Sequence, residues 1–155
     1  MPKAIYTIGH SNHTWDTFTP LLLRHGIRTL VDVRAHSVSR FALFANKTRL
    51  PGLLESIGKR YVYMGDTLGG GPADPACYDV SGSPSYEEIA ARPWFRQGLA
   101  ELERIPGESV TAIMCAEEDP AKCHRALLIG AALEGRGWEV RHMRKATPPS
   151  SRTTP

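Results

Sequence analysis

The feature that most constrains this chain is a strict alternation of short β-branched, apolar runs with amphipathic stretches of helical period. Residues 4–8, 29–33, 61–64, 110–114 and 138–143 read as strands, rich in Ile, Val, Leu and Tyr. Between them, residues 15–25, 48–57, 86–103 and 120–134 read as helices. Gly26, Gly58, Gly135 and Gly137 are the stops. Pro93 falls inside the third helical stretch and is expected to break or restart it. Ser11 or Thr14 can cap the first helix, and Asp119-Pro120 is a good start for the last. Alternation of this kind predicts an α/β fold: a single domain with a roughly five-stranded, mostly parallel sheet and helices on both faces.

The length of 155 residues suits one such domain. Residues 1–144 are assigned to it, and 145–155 form a basic Pro/Ser/Thr-rich tail expected to be disordered. No apolar run approaches the ~20 residues of a membrane span, so no membrane partner is expected. The start enters a strand pattern at once, without a signal-peptide core, so a cytoplasmic protein is expected. Three cysteines, an odd number, argue against a disulfide framework; reduced thiols with at most one transient pair are expected. The oligomeric state is not legible.

Charge is placed unevenly. Residues 24–60 sum to +6 and residues 61–119 to −8, while the last 15 residues carry +4 within a net charge of +3. Such segregation fits an anion-binding face, or simply solvated surface.

In open α/β sheets, ligands sit beyond the carboxyl ends of the strands. The reactive side chains of this chain gather there. Strand one runs into Gly9-His10-Ser11, strand two into Asp32-Val33-Arg34 with Ser39 and Arg40 behind, and strand three into Leu68-Gly69-Gly70. Strand four ends at Cys115-Ala116-Glu117, and the next helix opens with Cys123-His124-Arg125. These pieces, with Met114 and Pro120-Ala121-Lys122, resemble in order and spacing the domain of unknown function 488 family. The resemblance runs from strand one to about Met143. It implies a small cytosolic α/β domain and no settled activity; members are sometimes loosely labelled DNA-repair proteins. The chain departs from the family's pattern at Ser37, between His36 and Val38, where a proline is usual.

The candidate catalytic residues are His10, Asp32, Cys115 and Glu117. The candidate ligand-binding residues are Ser11, Arg34, Ser39, Arg40, Gly69, Gly70, Cys123, His124 and Arg125. Arginine's planar fork suits phosphate. The competing reading has one arginine clamped to Asp32 or Glu117. His10 and Glu117 suit proton transfer and Asp32 suits orientation. Cys123 lies in a first helical turn, where a thiolate is favoured. Metal is not expected: no CxxC is present, and adjacent Cys123 and His124 diverge by about 100° on a helix. No cofactor is expected either. Tyr61, Tyr63 and Trp94 read as core.

The favoured function is an enzyme acting on a nucleotide or nucleic-acid component, with an anionic ligand as its partner. Rhodanese-like sulfur transfer or other thiol redox chemistry at Cys115 is the first alternative, although Glu117, Glu118 and Asp119 disfavour a persulfide. A non-enzymatic module for an anionic ligand is the second.

Overall fold

A computed structural model of the chain describes residues 3–10, 13–34, 43–46, 48–69, 74–116 and 125–144, the side chains at 125–127 excepted. The strands are β1 (Lys3–Gly9), β2 (Thr29–Asp32), β3 (Arg60–Tyr63), β4 (Thr111–Cys115) and β5 (Trp138–Met143). They form one sheet in the order β3-β2-β4-β1-β5, with every pairing parallel. Burial follows position. Every residue of β2 and β4 is buried, as befits central strands covered on both faces. The edge strands β3 and β5 are half-exposed.

The helices are α1 (Trp15–Arg24), α2 (Leu50–Ser56), α3 (Gly65–Leu68), α4 (Tyr86–Ala90), α5 (Pro93–Arg104) and α6 (Ala131–Glu134). From β1 through β2 to β3 the chain moves toward one edge. From β3 through β4 to β5 it returns across the sheet. Right-handed crossovers therefore require opposite faces for the two sets of helices, and the core divides accordingly. Phe18, Leu21 and Leu22 of α1 and Leu50 and Leu54 of α2 pack on Ile8, Leu30, Ala112 and Met114. Ile89, Phe95, Leu99 and Leu102 of α4 and α5, with Leu128, Ile129 and Leu133, pack on Ile5, Val31, Val33, Ile113 and Cys115.

Local chemistry explains the boundaries. Of the two candidate caps for α1, Thr14 takes the role: its hydroxyl accepts from the Thr17 N–H at 3.2 Å. Pro93 restarts rather than breaks its helix, standing at the first position of α5, where its missing N–H would be unpaired anyway. Gly26 and Gly58 end α1 and α2 with φ of 66° and 74°. Gly135 caps α6 with an ordinary φ of −64°, and Gly137 turns the chain toward β5 with a positive φ of 93°.

The five-stranded parallel α/β architecture is as expected, and every strand pairing is parallel. Beyond the expected elements, the stretch after β3 contains α3, a 3-10 turn at Pro75–Cys77 and an antiparallel bridge between Tyr78 and Pro84. The last helix contains a π-helical turn over Arg125–Gly130 before α6; its expected start at Asp119-Pro120 lies outside the described residues. No described helix is long and apolar enough to cross a membrane.

Phe95 is fully buried, whereas Leu23 is 60% exposed. Phe95→Ala is therefore expected to cost ~3–5 kcal/mol in a urea titration, and Leu23→Ala no more than ~0.5 kcal/mol.

Candidate functional site

The three central strands end side by side. Gly9 is in register with Cys115, and Asp32 with Met114. The ladder continues one residue further, with the His10 N–H donating to the Cys115 carbonyl at 3.0 Å and the Val33 N–H to the Met114 carbonyl at 3.1 Å. His10, Asp32, Arg34 and Cys115 thus share one edge, as expected. All four are buried: Asp32 is 0% and Arg34 4% exposed.

Asp32 and Arg34 form a bidentate pair. Arg34 Nε donates to Asp32 Oδ1 and Nη2 to Oδ2, both at 2.9 Å. The Arg34 backbone N–H adds a 3.0 Å bond to Oδ1. Tyr61, on β3, donates its hydroxyl to Oδ2 at 2.6 Å. Arg34 Nη2 also donates to the Ala45 carbonyl at 2.5 Å, in a 3-10 turn over Leu43–Ala45. Its Nη1 lies 3.1 Å from His10 Nε2. A guanidinium only donates, so His10 Nε2 is the acceptor, and a neutral His10 carries its proton on Nδ1. Nε2 is therefore not a free base in this arrangement.

Burial alone would raise the Asp32 pKa. The Arg34 hydrogen bonds and charge, helped by Tyr61, outweigh it and hold the carboxyl below its ordinary value of 3.8. The clamp reading of Arg34 describes this geometry better than the anion-holding one.

Cys115 stands apart by face. Side chains alternate along a strand, so Ala112 and Met114 meet the α1/α2 layer while Ile113 and Cys115 meet the α5 layer. The Asp32 network lies on the α1/α2 side, through Tyr61 and Ala45, which pack in that layer. Cys115 is 1% exposed and disulfide-bonded. Cys77 is free and buried. No group of three His, Cys, Asp or Glu able to hold a metal occurs among the described residues.

Of the other candidates, Gly69 is buried and follows α3, its N–H donating to the Gly65 carbonyl at 3.0 Å. Ser11, Ser39, Arg40, Gly70, Glu117, Cys123 and His124 lie outside the described residues, as does the side chain of Arg125.

Two residues outside the candidate set matter here. Tyr61 reads as core by its spacing, and its ring does pack there, but its hydroxyl completes the Asp32 shell. Gly65 is not among the candidate glycines, Gly69 and Gly70, yet a Cβ at Gly65 would overlap the Arg34 carbonyl oxygen and the Tyr63 ring. A glycine directly after a strand, next to the arginine's own backbone, is the signal that would have found it.

Because the folded pKa of Asp32 is depressed, its contribution to stability is complete above 3.8 and is lost as pH falls through the lower folded value. Asp32→Asn, which leaves Arg34 buried without its counter-charge, is expected to cost ~3–5 kcal/mol at pH 7. It should also flatten the acid limb of a stability-against-pH curve. Tyr61→Phe should cost about 1 kcal/mol on the same urea assay.

No curated protein and no solved structure matches the chain. A family model does, described as a domain of unknown function, DUF488, and it covers residues 14–132. That span holds β2, β3, β4 and all six helices except the last two residues of α6. The chain belongs to the domain of unknown function 488 family.

Proposed function

We propose that this chain carries out thiol–disulfide chemistry at the carboxyl edge of its sheet, with Cys115 as one half of the redox pair. The observation that carries the reading is the bonding state of Cys115, oxidised while Cys77 is free. We take the one further cysteine of the sequence, Cys123, as the other half. In a reducing cytosol such a bond is usually transient and catalytic or sensing rather than structural.

The chemistry follows from position. Cys123, expected in a first helical turn, is the attacking thiolate, and the buried Cys115 resolves. Cys123 S⁻ attacks one sulfur of a substrate disulfide and releases the other as a thiolate, which takes up a proton. Cys115, giving up its own proton, then attacks Cys123 Sγ and releases the second substrate thiolate. Two electrons pass from the dithiol to the substrate disulfide, and an external thiol reductant restores the pair. Glu117, Glu118 and Asp119 lie between the two cysteines in sequence. They disfavour a resting anionic persulfide and accept a neutral disulfide, which separates this reading from sulfur transfer. His10 acts as a positioning residue, tied to the Cys115 carbonyl through its backbone and to Arg34 through its ring.

The nucleotide reading built on Arg34 draws less support. Four donor contacts of that side chain go to Asp32, Ala45 and His10, so a phosphate there would have to displace a buried partner.

The test is turnover of a small aromatic disulfide with dithiothreitol as reductant. Cys115→Ser and Cys123→Ser are each expected to lower the rate at least ~100-fold, the scale of losing a covalent step, and Cys77→Ala to leave it unchanged. An unchanged rate in Cys115→Ser, or no turnover above the uncatalysed exchange in the native chain, would overturn the proposal.

A further inference from the structure

At the opposite end of the sheet lies a cleft of about 490 Å³ lined by Arg28, Thr29, Gly58, Lys59, Arg60, Glu108 and Ser109. We propose that it is a second site, independent of the cysteines, that binds phosphate-type oxyanions.

The amino ends of β2 and β3 bring the cations together. Thr29 is in register with Arg60 and with Thr111. The Arg60 N–H donates to the Arg28 carbonyl at 2.9 Å, and the Arg28 N–H to the Val110 carbonyl at 2.8 Å. Arg28, just before β2, and Arg60, at the start of β3, are thereby held side by side, with Lys59 next to the Gly58 turn. Lys59 Nζ donates to the Ile27 carbonyl. The floor is polar and pinned: the Thr29 and Ser109 hydroxyls bond each other at 2.7 Å, and Thr111 Oγ1 donates to the Ser109 carbonyl at 2.8 Å.

Among the described residues the lining holds three cations and one carboxylate, Glu108. No described ion pair includes Arg28, Lys59 or Arg60, although the described residues form such pairs elsewhere. Burial, and to a smaller extent the charge of Arg28, push the Lys59 ammonium below its ordinary pKa. A dianion or polyanion bound among the three cations offsets their mutual repulsion. Arginine's fork suits phosphate oxygens, and the volume lies within the range of small-molecule sites. The ligand class is a free polyphosphate or the phosphodiester backbone of a nucleic acid. Both present the same oxygens.

Titration calorimetry at low salt with inorganic pyrophosphate and with a short single-stranded oligonucleotide tests the site in the full chain. Binding is expected and should weaken roughly tenfold or more in Arg28→Ala/Arg60→Ala. Both arginines are exposed, so the fold should survive, as an unchanged thermal midpoint would verify. Either single replacement gives the same direction should the double variant be unstable. Glu108→Gln should tighten binding about twofold, and Cys115→Ser should leave it unchanged, which keeps this test separate from the thiol reading. Tighter binding of the oligonucleotide, with a steeper salt dependence, identifies a nucleic-acid backbone; preference for pyrophosphate identifies a free polyphosphate. No binding of either probe at low salt, or full binding in the arginine variants, overturns the proposal.

Discussion

The buried ion pair of Asp32 and Arg34 is the interaction on which the carboxyl edge of the sheet depends. Two charges removed from water are tolerated only when geometry and extra hydrogen bonds offset the desolvation. Here the carboxylate accepts from two guanidinium nitrogens, a backbone amide and a tyrosine hydroxyl. The guanidinium then reaches the Ala45 carbonyl and the His10 ring. One pair of side chains thereby ties the end of β2 to β3, to the turn at Leu43–Ala45 and to the end of β1. Gly65 lets β3 turn back against this pair without a side chain in the way.

That clamp also partitions the edge. It occupies the α1/α2 face, whereas Cys115 packs toward α5 and the π-helical turn. The two are joined by backbone, since the His10 N–H bonds the Cys115 carbonyl. In the thiol reading proposed above, this division would let the sulfur state of Cys115 change on one face while the ion pair on the other stays intact. The oxyanion site proposed above lies at the other end of the sheet, where Arg28, Lys59 and Arg60 line one cleft and form no ion pair among the described residues.

Much of the fold was legible because its signals are local. Thr29–Asp32 and Thr111–Cys115 are runs long enough to be buried on both faces, and their apolar content announces it. Pro93 and Gly26 mark boundaries through backbone chemistry that context rarely overrides. Strand order was not legible, because parallel strands of similar composition carry no label for their neighbours. The short turns in 65–85 escaped because three or four residues show no periodicity. The gathering of His10, Asp32, Arg34 and Cys115 was legible from the rule that places ligands at strand ends. Their division between faces was not drawn, since it depends on the register of β4 against β2. The clamp was foreseen as one reading of Arg34, but its partners Tyr61 and Ala45 come from elsewhere in the chain and gave no sequence signal.

Differential alkylation of the native chain, read by mass spectrometry of its peptides, tests the central claim most directly. The account predicts that Cys115 resists alkylation under native and denaturing conditions until a reductant is added, while Cys77 becomes reactive on denaturation alone. Alkylation of Cys115 in the denatured chain without reductant would contradict it.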